Sequence, residues 1–132
     1  MREISIFDGG VDALDAQIAA LNEEVFDESR KLFVLYLGNL DPVSGESWCS
    51  DCNQALPVLK KNAQALLGEN DVLISCGVGE KEQWKNNPEN EFRVRKKLTA
   101  VPTLVELKTE RILVEEDCSD KHLVPMMFKG EQ

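Results

Sequence analysis

The chain has 132 residues, 42% of them hydrophobic and 30% charged, and a formal net charge of −9. That length and balance describe one globular domain, residues 1–132, with enough apolar chain to bury a core. The acidic balance argues against nucleic acid and anionic membranes as partners, because both call for positive patches.

Ile4 and Ile6 alternate with Glu3 and Ser5, which predicts a short strand ending at Phe7; Asp8-Gly9-Gly10 reads as a turn. From Val11 to Val25, Leu14, Ile18 and Leu21 recur at three- and four-residue steps and predict an amphipathic helix. Residues 27–31 are a polar connection. Leu32 to Gly38 is an apolar run with two aromatics, the pattern of a buried strand, and residues 39–47, with Pro42 and Gly45, read as a loop. A helix follows Cys49 and runs to about Leu67, with Gly68 as its stop signal. Pro57 lies inside it, where a proline deletes one backbone hydrogen bond and kinks the axis at a cost of up to ~3 kcal/mol. Val72 to Val78 is the next strand, Gly79 to Pro88 a polar stretch apart from Trp84, and Phe92 to Leu98 a short basic helix. Thr99 to Leu104 leads into a strand ending at Leu107. Lys108-Thr109-Glu110 then turns the chain into a return strand, Arg111 to Glu115, and residues 119–128 form a terminal helix despite Pro125. The order predicts an α/β fold: a mixed sheet of about five strands, parallel through its first part, with helices on both faces.

Compartment follows from what the chain lacks. Met1 to Ser5 has no apolar stretch of signal-peptide length, no run approaches the roughly 20 residues of a membrane span, and the C-terminus carries no retention signal. The expectation is a monomer in the cytoplasm, where thiols stay reduced, so the four cysteines are not read as two structural disulfides.

The chemistry concentrates at Trp48-Cys49-Ser50-Asp51-Cys52, between the buried strand and its helix. The first helical N–H groups lack intrahelical partners, and the helix dipole adds partial positive charge there. A thiolate at Cys49 is stabilised by both, and Cys52, three residues on, lies on the same side of the first turn, where it can close a disulfide with Cys49. C-x-x-C is also half of a zinc site, but zinc takes four ligands and the chain offers only His122 and the isolated Cys76 and Cys118 besides. Cys76 is in step with Val72, Ile74 and Val78 on a strand face and reads as an inert core residue. Cys118 reads as inert, His122 as a surface residue, Trp84 as core, and Arg93 to Lys97 as a solvated helix face. Asp51 could simply favour the helix start.

Three further features carry a resemblance: Trp-Cys-x-x-Cys after a buried strand, Pro57 eight residues beyond Cys49, and Val101-Pro102-Thr103 before a late strand. Together they resemble the thioredoxin fold. Ser47 to Cys52, Val78-Gly79-Glu80-Lys81 with Trp84, and Thr99 to Thr103 narrow the likeness to the small cytosolic thioredoxin-related proteins with a W-C-P-D-C motif, the 14-kDa thioredoxin-related family. The similarity runs over nearly the whole chain.

That resemblance implies a protein-disulfide reductase with no bound cofactor, recharged by thioredoxin reductase and ultimately by NADPH. Cys49 would attack, Cys52 would resolve, Trp48 would flank the thiol as an apolar docking surface, and the backbone of Val101 would pair with disulfide-containing substrates. It also implies a cis peptide at Val101–Pro102, whose proline removes an N–H and keeps metal off the dithiol. Slow peroxidase activity and a dynein light chain partner in inflammatory signalling follow more weakly. An interaction module in which turnover is secondary is the alternative function. Two departures from the pattern bear on redox tuning. Ser50 stands where the family has proline, and Leu35 stands where thioredoxin has a buried aspartate near the second cysteine. Asp51 is a modest candidate to replace that acid. The stretch between Gly38 and Trp48 is nine residues, against about three in ordinary thioredoxins, and carries Asp41 and Glu46. It is expected to disfavour large or acidic substrates and to spare small disulfides.

Overall fold

Leu32–Leu37 (β2) is the strand on which the sheet is built: from Phe33 to Leu37 each residue is buried. A strand buried on both faces needs layers above and below it, and Val72–Gly77 (β3), buried throughout, has the same requirement. The computed structural model describes residues 1–24 and 28–131. Among these, five strands form one sheet in the order β1-β3-β2-β4-β5. Arg2–Ile6 (β1) and β2 flank β3 in parallel; Thr103–Glu106 (β4) runs antiparallel to β2, and Ile112–Val114 (β5) antiparallel to β4. The mixed α/β sheet expected from the sequence is thus present.

The parallel strands require crossover helices. Gly10–Glu23 (α1) links β1 to β2, and Ser50–Leu66 (α2) links β2 to β3. Val25, the last residue of the first predicted helix, lies outside the described residues. Lys81–Trp84 (α3) and Glu91–Arg95 (α4) lie between β3 and β4, and Leu123–Lys129 (α5) ends the fold after a one-turn 3-10 helix, Glu115–Ser119. α1 packs with α4, whereas α2 packs with α5 and the 3-10 turn, giving the sheet its two outer layers. Phe33 and Phe128 meet edge to face at 5.0 Å between sheet and α5.

Local chemistry explains where the elements depart from the sequence expectations. α2 ends one residue early, at Leu66, and Gly68 does not cap it in a left-handed conformation. Leu67 leaves the helix extended, and the Asp71 carboxylate accepts from the N–H groups of Gly68 (2.7 Å) and Lys31 (2.8 Å). The polar stretch after β3 hides α3, which is held by a capping box between Glu80 and Gln83. The terminal helix starts only at Leu123, because Asp120 Oδ1 accepts from the N–H groups of His122 and Leu123 and so begins a new helix. Pro125 then falls in the first turn, where its missing N–H costs nothing. The basic run is not a free solvated face. Arg95 pairs with Asp12 at 2.9 Å, Lys96 with Asp15 at 2.6 Å, and Arg93 lies 3.7 Å over the Trp84 ring.

Candidate active site

β2 runs up to Gly38, and α2 begins twelve residues later at Ser50. The intervening loop is a small hairpin rather than an open connection. Leu40 and Ser47 form an isolated antiparallel bridge, and Asp41 Oδ1 accepts from the N–H groups of Val43 (2.8 Å) and Ser44 (2.9 Å). Its base is clamped by Asn53, one turn into α2: the Asn53 side chain accepts from Ser47 N–H (2.7 Å) and donates to Ser47 C=O (2.8 Å). The Ser47 hydroxyl donates to Gly38 C=O at 2.9 Å and accepts from Cys49 N–H at 3.0 Å. Gly38 has to be glycine, since a Cβ there would fall 2.5 Å from the Trp48 ring. That ring is half-buried, and its Nε1–H donates to Gly79 C=O at 3.0 Å.

This loop delivers Cys49 to the N-cap of α2. Its sulfur accepts the Cys52 N–H at 3.2 Å, filling one of the orphan donors of the helix start. The thiol is lowered to a pKa of about 7. The hydrogen bond from the Cys52 side chain contributes most; burial opposes it, the Cys52 and Asp51 N–H groups reinforce it, and the Asp51 carboxylate opposes it. Cys52 is buried, at 2% exposure, and its pKa is pushed up, first by the hydrogen bond it gives to Cys49 and then by burial. The Gly38 backbone and the Ser47 side chain pull it the other way. One helical turn therefore holds a partly exposed thiolate and a covered thiol that keeps its proton.

The opposite wall comes from a distant segment. β4 is antiparallel to β2 with Tyr36 opposite Thr103, so the residues before Thr103 lie beside those after Tyr36. Val101–Pro102 is a cis peptide, and Val101 C=O lies 3.7 Å from Cys49 Sγ, where it can accept from the thiol form. Behind it, the buried Cys118 contacts Pro102 C=O (3.7 Å) and Leu113 C=O (3.3 Å). A groove of about 360 Å³ opens beside Cys49 between Trp48, Asp51, Trp84, Arg93 and Val101.

The residues singled out in the sequence fall as follows. Cys49, Cys52, Trp48, Val101 and Pro102 come together. Ser50 is exposed at the first helical position, and its hydroxyl bonds to nothing among the described residues. Asp51 is exposed and acts on Cys49 rather than on Cys52, so it does not take the place of the missing buried acid. Leu35 is buried and apolar. Cys76 is fully buried and Trp84 nearly so, as expected for core residues, and His122 is exposed. In the sequence Ser47 carries only the family likeness and Asn53 no signal at all; a serine and an asparagine six apart around a C-x-x-C are too common in loops to signal a clamp. Among the described residues no three His, Cys, Asp or Glu side chains are placed to hold a metal ion, and no helix is long and apolar enough to cross a membrane.

Comparison with known proteins agrees with this geometry. Residues 10–130 match the family described as thioredoxin domain-containing protein 17-like, thioredoxin domain. Thioredoxin domain-containing protein 17 of Homo sapiens is 43% identical over 77% of this chain and 80% of its own length. The Mus musculus protein of that name is 39% identical over 87% of this chain and 96% of its own length. The thioredoxin-like protein Clot of Arabidopsis thaliana is 36% identical over 74% of this chain and 73% of its own length. With its fold, its paired thiols and a match over almost its full length, the chain belongs to the thioredoxin domain-containing protein 17-like family.

Proposed function

We propose that this protein is a protein-disulfide reductase that works through the Cys49/Cys52 dithiol. The observation that carries the reading is the placing of two thiols within one helical turn: Cys49 is half-buried at the N-cap with its sulfur accepting the Cys52 N–H at 3.2 Å, which favours its thiolate, while Cys52 is 2% exposed, which favours its protonated form. Attack needs a thiolate near ambient pH, and resolution needs a second thiol held in reserve. The Cys49 thiolate attacks one sulfur of the substrate disulfide, forming a mixed disulfide and releasing the other sulfur as a thiolate. Cys52 then gives up its proton and attacks Cys49 Sγ. The substrate leaves fully reduced with two electrons, and Cys49–Cys52 is oxidised.

Mixed-disulfide formation itself frees Cys52. Its strongest hold on the proton is the hydrogen bond to the Cys49 thiolate, and that anion disappears once Cys49 is bonded to substrate. The groove beside Cys49 accepts the substrate chain, with Trp48 as the apolar wall and the Val101 backbone as its hydrogen-bonding edge. The hairpin over residues 39–47 stands at the same end of the sheet as the thiols, and its acidic side chains disfavour bulky or acidic proteins while small disulfides still reach Cys49. Thioredoxin reductase, drawing on NADPH in the cytoplasm, restores the dithiol. Peroxide is a slower oxidant of the same thiolate, with Cys52 condensing on the sulfenic acid to release water.

The test is NADPH consumption with thioredoxin reductase and either a small disulfide or insulin. Steady turnover that vanishes in Cys49→Ser supports the reading. A wild-type protein that the reductase cannot recharge, or that reduces neither substrate, overturns it.

A further inference from the structure

The segment before β4 has no secondary structure of its own, although it forms the wall that faces Cys49. Residues 99–102 run from the buried Leu98 to Thr103, the first residue of β4. Chain without ladder hydrogen bonds stays in one place only where other groups tie it down. We propose that Arg93, on α4, is the positioning residue for this edge: it holds the Thr99 carbonyl, so that Val101, two residues on, presents its backbone to an extended substrate chain beside Cys49. The proposal deepens the dithiol reductase reading and rests on it.

Each carbonyl of the segment has a different partner. Thr99 C=O accepts from Arg93 Nη1 at 3.3 Å. Ala100 C=O accepts from the Thr103 hydroxyl at 2.8 Å, and Pro102 C=O accepts from Glu115 N–H at 2.8 Å. Between them, Val101 C=O faces the Cys49 sulfur at 3.7 Å. The ties at Ala100 and Pro102 come from β4 and from the turn after β5. The tie at Thr99 comes from α4, outside the sheet.

Arg93 is itself firmly seated. Its Nε (3.3 Å) and Nη2 (3.0 Å) both donate to the C=O of Trp84, the last residue of α3. The centre of its guanidinium lies 3.7 Å from the centroid of the nearly buried Trp84 ring. A planar fork with five donors can stack on a ring, grip one carbonyl and still offer Nη1 to a second. Among the described residues Arg93 has no carboxylate partner, whereas Arg95, two residues on, pairs with Asp12. The Arg93 donors go to backbone instead, and they join Trp84 to Thr99, two residues that line the groove beside Cys49. A peptide disulfide that lies along this groove uses the Val101 edge. A small disulfide without a peptide chain needs only the Cys49 sulfur, so Arg93 serves the first kind of substrate and not the second.

The test uses pre-reduced full-length protein in single turnovers, with an uncharged disulfide-bonded peptide and with hydroxyethyl disulfide, which is uncharged and has no peptide backbone. In Arg93→Ala the half-saturating concentration of the peptide should rise about tenfold, the low end for a hydrogen bond to a charged group, with the limiting rate within about twofold. The rate with hydroxyethyl disulfide should stay within about twofold of wild type. Arg93→Lys keeps the charge but not the fork and should resemble Arg93→Ala. Arg95→Ala loosens the same helix without touching the groove and should match wild type on both substrates. By ¹⁵N relaxation, the order parameters of Ala100 and Val101 should fall from about 0.85 to about 0.6 in Arg93→Ala, while that of Leu104 stays unchanged. Should Arg93→Ala not fold, Arg93→Gln, whose shorter amide cannot span both carbonyls, carries the same expectations. Equal effects on the two disulfides, full rescue by Arg93→Lys, or unchanged order at Val101 would overturn the role of Arg93. A wild-type protein that reduces neither disulfide sinks the reductase reading instead, and the relaxation measurement, which needs no turnover, tells the two failures apart.

Discussion

Removing the Cys52 side chain should change how Cys49 reacts, and by an amount that can be worked out. The largest cause that brings Cys49 to about 7 is the hydrogen bond from the Cys52 thiol. A hydrogen bond to a charged group contributes about 1.5–3 kcal/mol, and one pH unit corresponds to about 1.4 kcal/mol. Cys52→Ala should therefore move the Cys49 midpoint up by ~1–2 units, to roughly 8–9, while the helix-start N–H groups remain. At pH 7 the thiolate falls from about half to roughly 1–10% of the protein, but the more basic thiolate is ~3–10 times more nucleophilic. The net effect is alkylation by iodoacetamide about two- to eightfold slower at pH 7. The order reverses at about pH 8, and above about pH 9.5 the variant reacts about three- to tenfold faster than wild type. Cys52→Ser keeps a donor in place and should titrate near the wild-type value. The assay is clean in native protein because Cys76 and Cys118 are fully buried with pKa values pushed up to about 12. If wild type, Cys52→Ala and Cys52→Ser share one midpoint, the Cys52 side chain does not tune Cys49 and the argument from the dithiol hydrogen bond is wrong.

Four further outcomes are expected. Cys52→Ser should trap mixed disulfides visible by mass spectrometry while Cys49→Ser traps none; equal trapping would reverse or abolish the assigned roles. Asp51→Asn should lower the Cys49 midpoint by a few tenths of a pH unit, because the exposed carboxylate raises it and exposed charge pairs are worth ~0.2–1 kcal/mol; an upward move would contradict that sign. Cys76 and Cys118 have folded pKa values raised to about 12, so their contribution to stability is whole below the unfolded value of about 8.5 and is lost as pH climbs toward 12. The reduced protein should lose up to ~1.4 kcal/mol per pH unit for each thiol, read as a falling urea midpoint between pH 8 and 10. Cys76→Ala with Cys118→Ala should lessen that slope, leaving the share of Cys52, whose pKa is also raised, while keeping the reductase rate within a few-fold. Finally, excising residues 41–46, which spares the Ser47 clamp, should raise kcat/KM for a folded protein disulfide relative to a small one; an unchanged ratio would mean that the hairpin is not the selectivity filter.

The sequence by itself determined the parts of this protein that depend on neighbours along the chain. The unbroken apolar run at 32–37 can only be a strand covered on both sides, and a C-x-x-C between such a strand and an amphipathic helix places Cys49 where helix N–H groups converge. The in-step Val72, Ile74 and Cys76 were legible as core for the same reason. Periodicity reports that a face is buried but not what buries it, so strand order stayed open until β3 was seen between β1 and β2. Short capped turns such as α3, and the ion pairs by which Arg95 and Lys96 tether α4 to α1, escape it too. Val101 reached the site on paper only through family likeness; its carbonyl stands 3.7 Å from Cys49 because β4 pairs antiparallel with β2, fifty-two residues later in the chain. The burial that helps Cys52 keep its proton, and the Val101 carbonyl beside Cys49, were decided by tertiary structure alone. Hydrogen bonds and desolvation act over a few ångströms, and those distances exist only once distant segments have packed together.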